Sequence, residues 1–200
     1  MQLISADLSP FARKVRVLLH ETGQLDDVEI VGVATTPINP DAQVAAANPM
    51  NKIPALLRAD GPAIYDSRVI TRYLDARRGC GMYPEARLWE TLTLEATADG
   101  IMDAAVLMSY EARLRPAEHQ SADWIEAQWN KVSGAIAAIN SRWMSHLAGP
   151  MDMSHIAVAC ALGYVDFRHG ARGWRKGNDA LDDWYAVFSE RDSMKATAPE

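Results

Sequence analysis

Apolar and polar positions change rhythm once along this chain, close to residue 80. Before that point short apolar runs alternate with helical patterns. MQLISA at the start is short and apolar, as a buried strand would be. After Ser9-Pro10, the positions Phe11, Val15, Leu18 and Leu19 share one face of a helix, and Gly23 follows where it can stop. VEIVGV (28–33) is β-branched and predicts a second strand, and a Pro-, Asn- and Ala-rich loop then runs to about Asn48. IPALLRA (53–59), the Asp60-Gly61 turn and PAIYD (62–66) predict a hairpin, because Asp-Gly between apolar runs is a strong turn signal. SRVITRYLDARR closes the unit as a helix with Val69, Ile70, Tyr73 and Leu74 on one side. A crossover makes the first two strands parallel, and a hairpin is antiparallel, so the first half predicts a small mixed sheet covered by helices.

Gly79-Cys80-Gly81 and Tyr83-Pro84 mark the change, and no strand pattern follows. From Ala86 to about Arg115 the chain predicts one helix of about 30 residues, about 45 Å long. Its apolar stripe is read on Leu88, Leu92, Met102, Val106 and Tyr110, with Gly100 as a weak point and Pro116 as its limit. A second helix starts at Ser121 and carries Ile125, Trp129, Val132, Ile136, Ile139 and Trp143. IAVACALGYVDF (156–167) is apolar nearly all round and predicts the central helix of a bundle, and LDDWYAVF (181–188) predicts a last amphipathic one. The expected organisation is an α/β domain over 1–78, a linker over 79–85 and an all-helical domain over 86–200.

Charge and composition narrow the function classes. A net charge of −6, with signs well mixed, argues against nucleic acid as a partner. No run approaches the ~18 apolar residues of a membrane span, and the first residues lack a signal-peptide pattern. The expectation is a soluble, cytoplasmic protein. Two distant cysteines, Cys80 and Cys160, suit a reducing compartment. The five histidines show no ligand spacing, so no protein-built metal site is expected.

Three stretches carry backbone chemistry. Ser9 with Pro10 makes a well-formed helix cap, and a helix start bearing a hydroxyl can also stabilise a thiolate placed over it. No G-x-S-x-G motif surrounds it, which argues against a serine hydrolase. In NPMNKIPALL (48–57), Ile53-Pro54 is read as a cis bond that offers the Ile53 N–H and C=O to a ligand's backbone; the alternative is a trans proline at a strand edge. Asp66-Ser67 opens a helix, where one oxygen can cap while other groups bind a carboxylate or an ammonium.

The ordered set SPFARKVRVLL, NPMNKIPALL and IYDSRVITRYL, followed by an all-helical half, resembles the cytosolic glutathione transferases over nearly the whole chain. MDMSHIAVACAL is similar to the family's buried-helix start, with Asp152 and His155 as its capping pair. LEATADGIMDAAV (94–106) looks most like a bacterial subgroup. The resemblance implies a thioredoxin-like first domain that binds glutathione, a homodimer, and no metal. It assigns the sulfur contact to Ser9, the cysteinyl backbone contact to Ile53-Pro54 and the γ-glutamyl end to Asp66-Ser67, with Phe11 and Lys52 adjoining. Asn51 stands where the family often has Gly, and Asn tolerates left-handed backbone. No Lys or Arg lies between Ala34 and Asn51, which leaves Lys52 as the cation nearest in sequence for the glycyl carboxylate.

The implied chemistry is activation of the glutathione thiol for attack on a small electrophilic or peroxidic substrate, with Ser9 as donor and not as nucleophile. The electrophile is expected near Phe11, Met102, Val106 and Tyr110, and the acidic groups of the long helix to consider across a dimer are Asp99 and Asp103. Ser9 and Ala12 replace the two cysteines of a redox thioredoxin, which excludes a dithiol mechanism. The other readings from the same fold are a transferase-like binding or regulatory protein and a glutathione-dependent lyase or isomerase.

Overall fold

The structure divides between Tyr83 and Pro84. The computed structural model describes residues 1–199. The first unit begins with strand β1 (Gln2–Ser5), whose Leu3, Ile4 and Ser5 are buried, and helix α1 (Pro10–Glu21). α1 seals Ala12, Val15, Val17, Leu18 and Leu19 from solvent, and with them the entire Lys14 side chain. Strand β2 (Glu29–Gly32) runs parallel to β1 and lies at the sheet edge, which is why most of its side chains are exposed. Helix α2 (Ala42–Ala47) occupies part of the segment read as loop. Asp41 creates it, because its carboxylate accepts from the N–H groups of Gln43 and Val44.

Strands β3 (Ala55–Arg58) and β4 (Gly61–Ile64) form the expected hairpin, with an irregular register between Leu56 and Arg58. The sheet order is β2-β1-β3-β4, with β3 antiparallel to β1 and to β4. Helix α3 (Ser67–Arg78) is capped by Asp66 and stopped by Gly79, whose φ of 62° is left-handed. Ile70 and Leu74 are buried as expected, whereas Val69 is half exposed.

The second unit, Pro84–Glu190, is helical. Helix α4 (Leu88–Leu114) runs unbroken through Gly100. Its buried stripe is Thr91, Leu94, Glu95, Ala98, Ile101, Met102, Ala105 and Met108. Of the five positions read as its apolar face only Met102 belongs to that stripe. The small and polar members, Thr91, Ala98 and Ala105, had hidden the true face.

Helix α5 (Ala122–Arg142) is capped by Ser121 and followed by the single turn α6 (Met144–Leu147). Helix α7 (Met153–His169) buries every residue from Met153 to Val165 and is the central helix, packed on α4. Helix α8 (Asp179–Phe188) completes the unit. One boundary differs from the sequence reading: residues 191–199, with helix α9 (Asp192–Ala196), belong to the first unit. No described helix is long and apolar enough to cross a membrane.

Candidate functional site

Strand register brings the three sequence stretches together. Ile4 pairs with Ala55, and Leu56 pairs with Ile64. The end of β1, the start of β3 and the end of β4 therefore share one end of the sheet. The loop to Ser9, the Ile53-Pro54 dipeptide and the Tyr65–Ser67 corner all leave from that end.

Ser9 is half-buried and has extended backbone, with φ −85° and ψ 119°. Its carbonyl accepts from Arg13 N–H at 2.9 Å, the first helical bond of α1. Its Oγ accepts from Ala12 N–H at 3.3 Å. A hydroxyl has two lone pairs and one proton, so this cap uses an acceptor site and leaves the O–H available as a donor. Capping and ligand donation are compatible at this one residue. Phe11, two residues on, is half-buried.

The Ile53-Pro54 bond is cis, as is Tyr65-Asp66. The loop before Ile53 is fixed by Asn48, which sequence reasoning passed over: its Nδ2 donates to Lys52 O at 2.8 Å and its Oδ1 accepts from Met50 N–H at 3.0 Å. Asn51 has φ 53°, a left-handed conformation that Asn adopts more readily than most side chains. Lys52 is exposed, Ile53 half-buried and Pro54 buried.

At the start of α3, Asp66 Oδ1 accepts from Arg68 N–H at 3.0 Å, and Oδ2 meets the Arg68 guanidinium at 3.1 Å. Partial burial pushes the Asp66 carboxyl up. The hydrogen bonds and charge of Arg68 outweigh that effect, with help from the Lys14 charge, and hold it below its ordinary value. Ser67 is buried, and its carbonyl accepts from the Thr71 hydroxyl at 3.0 Å. Arg68 is the group here that the sequence did not single out, because its pairing with Asp66 depends on a rotamer and not on a motif.

In the second unit Met102 has no solvent-exposed surface, so it serves as core; Val106 and Tyr110 are half-buried. Burial first, and the nearby Tyr164 second, push the Tyr110 phenol up. Asp99 is buried and Asp103 exposed.

The spacing argument against a metal site had not anticipated one cluster: His146, Asp152 and His155 lie within 4.8 Å of one another. Their polar atoms already bond each other. Asp152 accepts from Ser154 N–H and Thr91 Oγ1, while His155 Nδ1 closes the capping box with the Asp152 N–H. Cys80 is half-buried near Gln24, and Cys160 is buried.

With this geometry the chain resembles known proteins end to end. A glutathione S-transferase N-terminal domain model matches residues 8–77, and the corresponding C-terminal domain model matches residues 122–186. A glutathione transferase family member from Pseudomonas fluorescens Pf-5, solved with bound glutathione, is 44% identical. The alignment covers 100% of this chain and 98% of that one, at a TM-score of 0.97. The chain belongs to the glutathione S-transferase family.

A second crystal structure of a Pseudomonas fluorescens Pf-5 glutathione transferase family member holds S-(propanoic acid)-glutathione; it is 43% identical, covers 100% of both chains and has a TM-score of 0.92. The uncharacterized GST-like protein YibF of Escherichia coli K12 is 33% identical over 100% of this chain and 98% of its own length. The mixed four-stranded sheet and the helical second unit are those of a glutathione transferase with its thioredoxin-like first domain.

Proposed function

We propose that this member of the glutathione S-transferase family binds glutathione through its first unit and activates the thiol with the Ser9 hydroxyl. The observation that carries the reading is the Ser9 cap, in which Oγ accepts from Ala12 N–H and its proton stays available. That proton donates to the glutathione sulfur, and the start of α1 adds its positive dipole end. Lowering a thiol by about two units from about 8.5 requires about 2.7 kcal/mol. A hydrogen bond to a charged group supplies about 1.5–3 kcal/mol and a helix end about 0.3–1 kcal/mol. The two together suffice, whereas the dipole alone does not.

The rest of the tripeptide is met by the neighbouring stretches. The Ile53 N–H and C=O pair with the cysteinyl backbone beside Pro54. Asp66 takes the γ-glutamyl ammonium, displacing part of its pairing with Arg68, and Ser67 at the start of α3 takes the α-carboxylate. Lys52 is the cation for the glycyl end, and Phe11 borders the sulfur.

Two chemistries balance from this thiolate. Attack on an electrophilic carbon forms a C–S bond and expels a leaving group or adds across a double bond, giving an S-substituted glutathione. Attack on a peroxide oxygen gives an alcohol and a sulfenic acid, which a second glutathione converts to disulfide and water. The glutathione-bound relatives support the ligand class, and the S-substituted ligand of the Pseudomonas relative supports the first chemistry. Family membership supports a homodimer, which sedimentation velocity tests directly.

Calorimetric titration with glutathione, followed by a panel of small electrophiles and hydroperoxides, tests the reading. Saturable binding with turnover supports it. Binding without turnover favours a binding or regulatory protein, and no binding overturns it.

A further inference from the structure

The end of the described chain lies along α1 and grips it at two points. Near the start of the helix, the Arg13 guanidinium donates to Met194 O at 2.9 Å and to Thr197 Oγ1 at 3.3 Å. Arg13 is only 6% exposed, so this is a buried, built contact between residues 184 positions apart. Thr197 is itself tied down, since its hydroxyl donates to Ser193 O at 2.8 Å. At the last residue of the helix, Arg191 donates to both carboxylate oxygens of Glu21, at 2.8 and 2.6 Å, and the Ser193 hydroxyl donates to the same group. The two grips are about 12 Å apart along the helix axis, and the tail runs antiparallel to α1 between them.

We infer that Arg13 and the segment from Arg191 to Thr197 form a strap that fixes α1 and thereby sets where the Ser9 hydroxyl stands; Arg13 is a positioning residue of the thiol site. The inference rests on the reading of Ser9 given above. Its link to Ser9 is short. The Arg13 N–H bonds the Ser9 carbonyl, and the neighbouring Ala12 N–H bonds the Ser9 Oγ. Any sliding or rotation of α1 is passed directly to that oxygen, and a shift of about 1 Å at a reacting group costs about 100-fold in rate. An isolated helix of this length does not hold its own position, so the constraint must come from what packs on it. Within the first unit α1 packs against α3 and against α9 of the strap.

The test uses the full chain with Arg13→Gln, the milder Thr197→Val and Glu21→Gln, and the rescue variant Arg13→Lys. Two readouts are taken: hydrogen exchange of the amides of residues 11–16, and the pH titration of bound glutathione by thiolate absorbance. The expected result is faster exchange across 11–16 while α3 is unchanged. The bound thiol should titrate at least about half a unit higher, a threefold loss of thiolate below its midpoint. Arg13→Lys should recover part of both. In a Ser9→Ala background the strap variants should move the titration no further. Overturning results are unchanged exchange in all three variants, or a lowered melting temperature with the titration unmoved. If wild-type bound glutathione titrates as a free thiol, the Ser9 reading fails by itself, and the exchange data alone then decide whether the strap holds α1.

Discussion

Asp66 caps α3, the proposed function also makes it a ligand anchor, and a single substitution separates the two roles. Asp66→Asn keeps an acceptor for the Arg68 N–H, so stability should change by less than about 0.5 kcal/mol by thermal denaturation. It removes the charge, and glutathione affinity by calorimetry should fall about tenfold, about 1.4 kcal/mol. Asp66→Ala should lose both, with about 1 kcal/mol of stability. Equal affinity in wild type and the Asn variant would remove Asp66 from the site. The Ser9 and Asp66 caps and the cis Ile53-Pro54 bond were legible because these residues sit where local backbone rules change, at helix starts and at a strand start. Arg13 and Arg68 were not legible. One has partners 181 and 184 residues away, and the other depends on a side-chain rotamer.

Among the elements, α7 has the most at stake in one side chain. Asp152 is fully buried and receives hydrogen bonds from Thr91, His146 and Ser154, with the Arg87 guanidinium at 3.5 Å. The sequence reading paired Asp152 with His155 as a cap, and His155 Nδ1 accepts from the Asp152 N–H at 3.2 Å. Asp152→Ala should therefore cost more than the ~1 kcal/mol of an exposed cap, because it strands several buried donors; about 3–5 kcal/mol is expected in chemical denaturation. A loss under about 1 kcal/mol would mean that the network is not cooperative. Long helices and the hairpin were readable from periodicity and the Asp-Gly turn. The short α2, α6 and α9 were not, since four to six residues carry too little period, and only the Asp41 cap announced one of them. The α4 stripe was misread because its buried face is built partly from Thr, Ala and Glu.

For the whole molecule, the buried Asp152 and the half-buried Glu21 and His169 have their pKa values lowered, and all act in one direction on stability. Burial pushes the Asp152 carboxyl up, but the hydrogen bonds it accepts, from Ser154 and Thr91 among others, outweigh that and hold it far below the usual range. The Arg191 bond foremost lowers Glu21. Burial foremost lowers His169, which favours its neutral form. A group whose folded value is depressed adds stability that is complete above its unfolded pKa and is lost as pH falls toward the folded one. The protein should begin to lose stability as pH drops below about 6.5, where an unfolded histidine takes up a proton, and lose it more steeply below about 4. The denaturation midpoint across pH 7 to 3 measures this; a flat profile contradicts it. At this scale the division near residue 80 was legible in composition. The return of the chain end to the first unit was not, because it is made by side-chain pairs that leave no pattern along the chain.

The central claim is that Ser9 holds the glutathione sulfur as an anion at the start of α1. It is tested most directly by the ultraviolet absorbance of the thiolate in bound glutathione, titrated against pH in wild type and in Ser9→Ala at saturating ligand. The account predicts a wild-type midpoint about two units below the ordinary thiol value of about 8.5, and a midpoint at least about one unit higher in the variant. Coincident midpoints in the two proteins would contradict it.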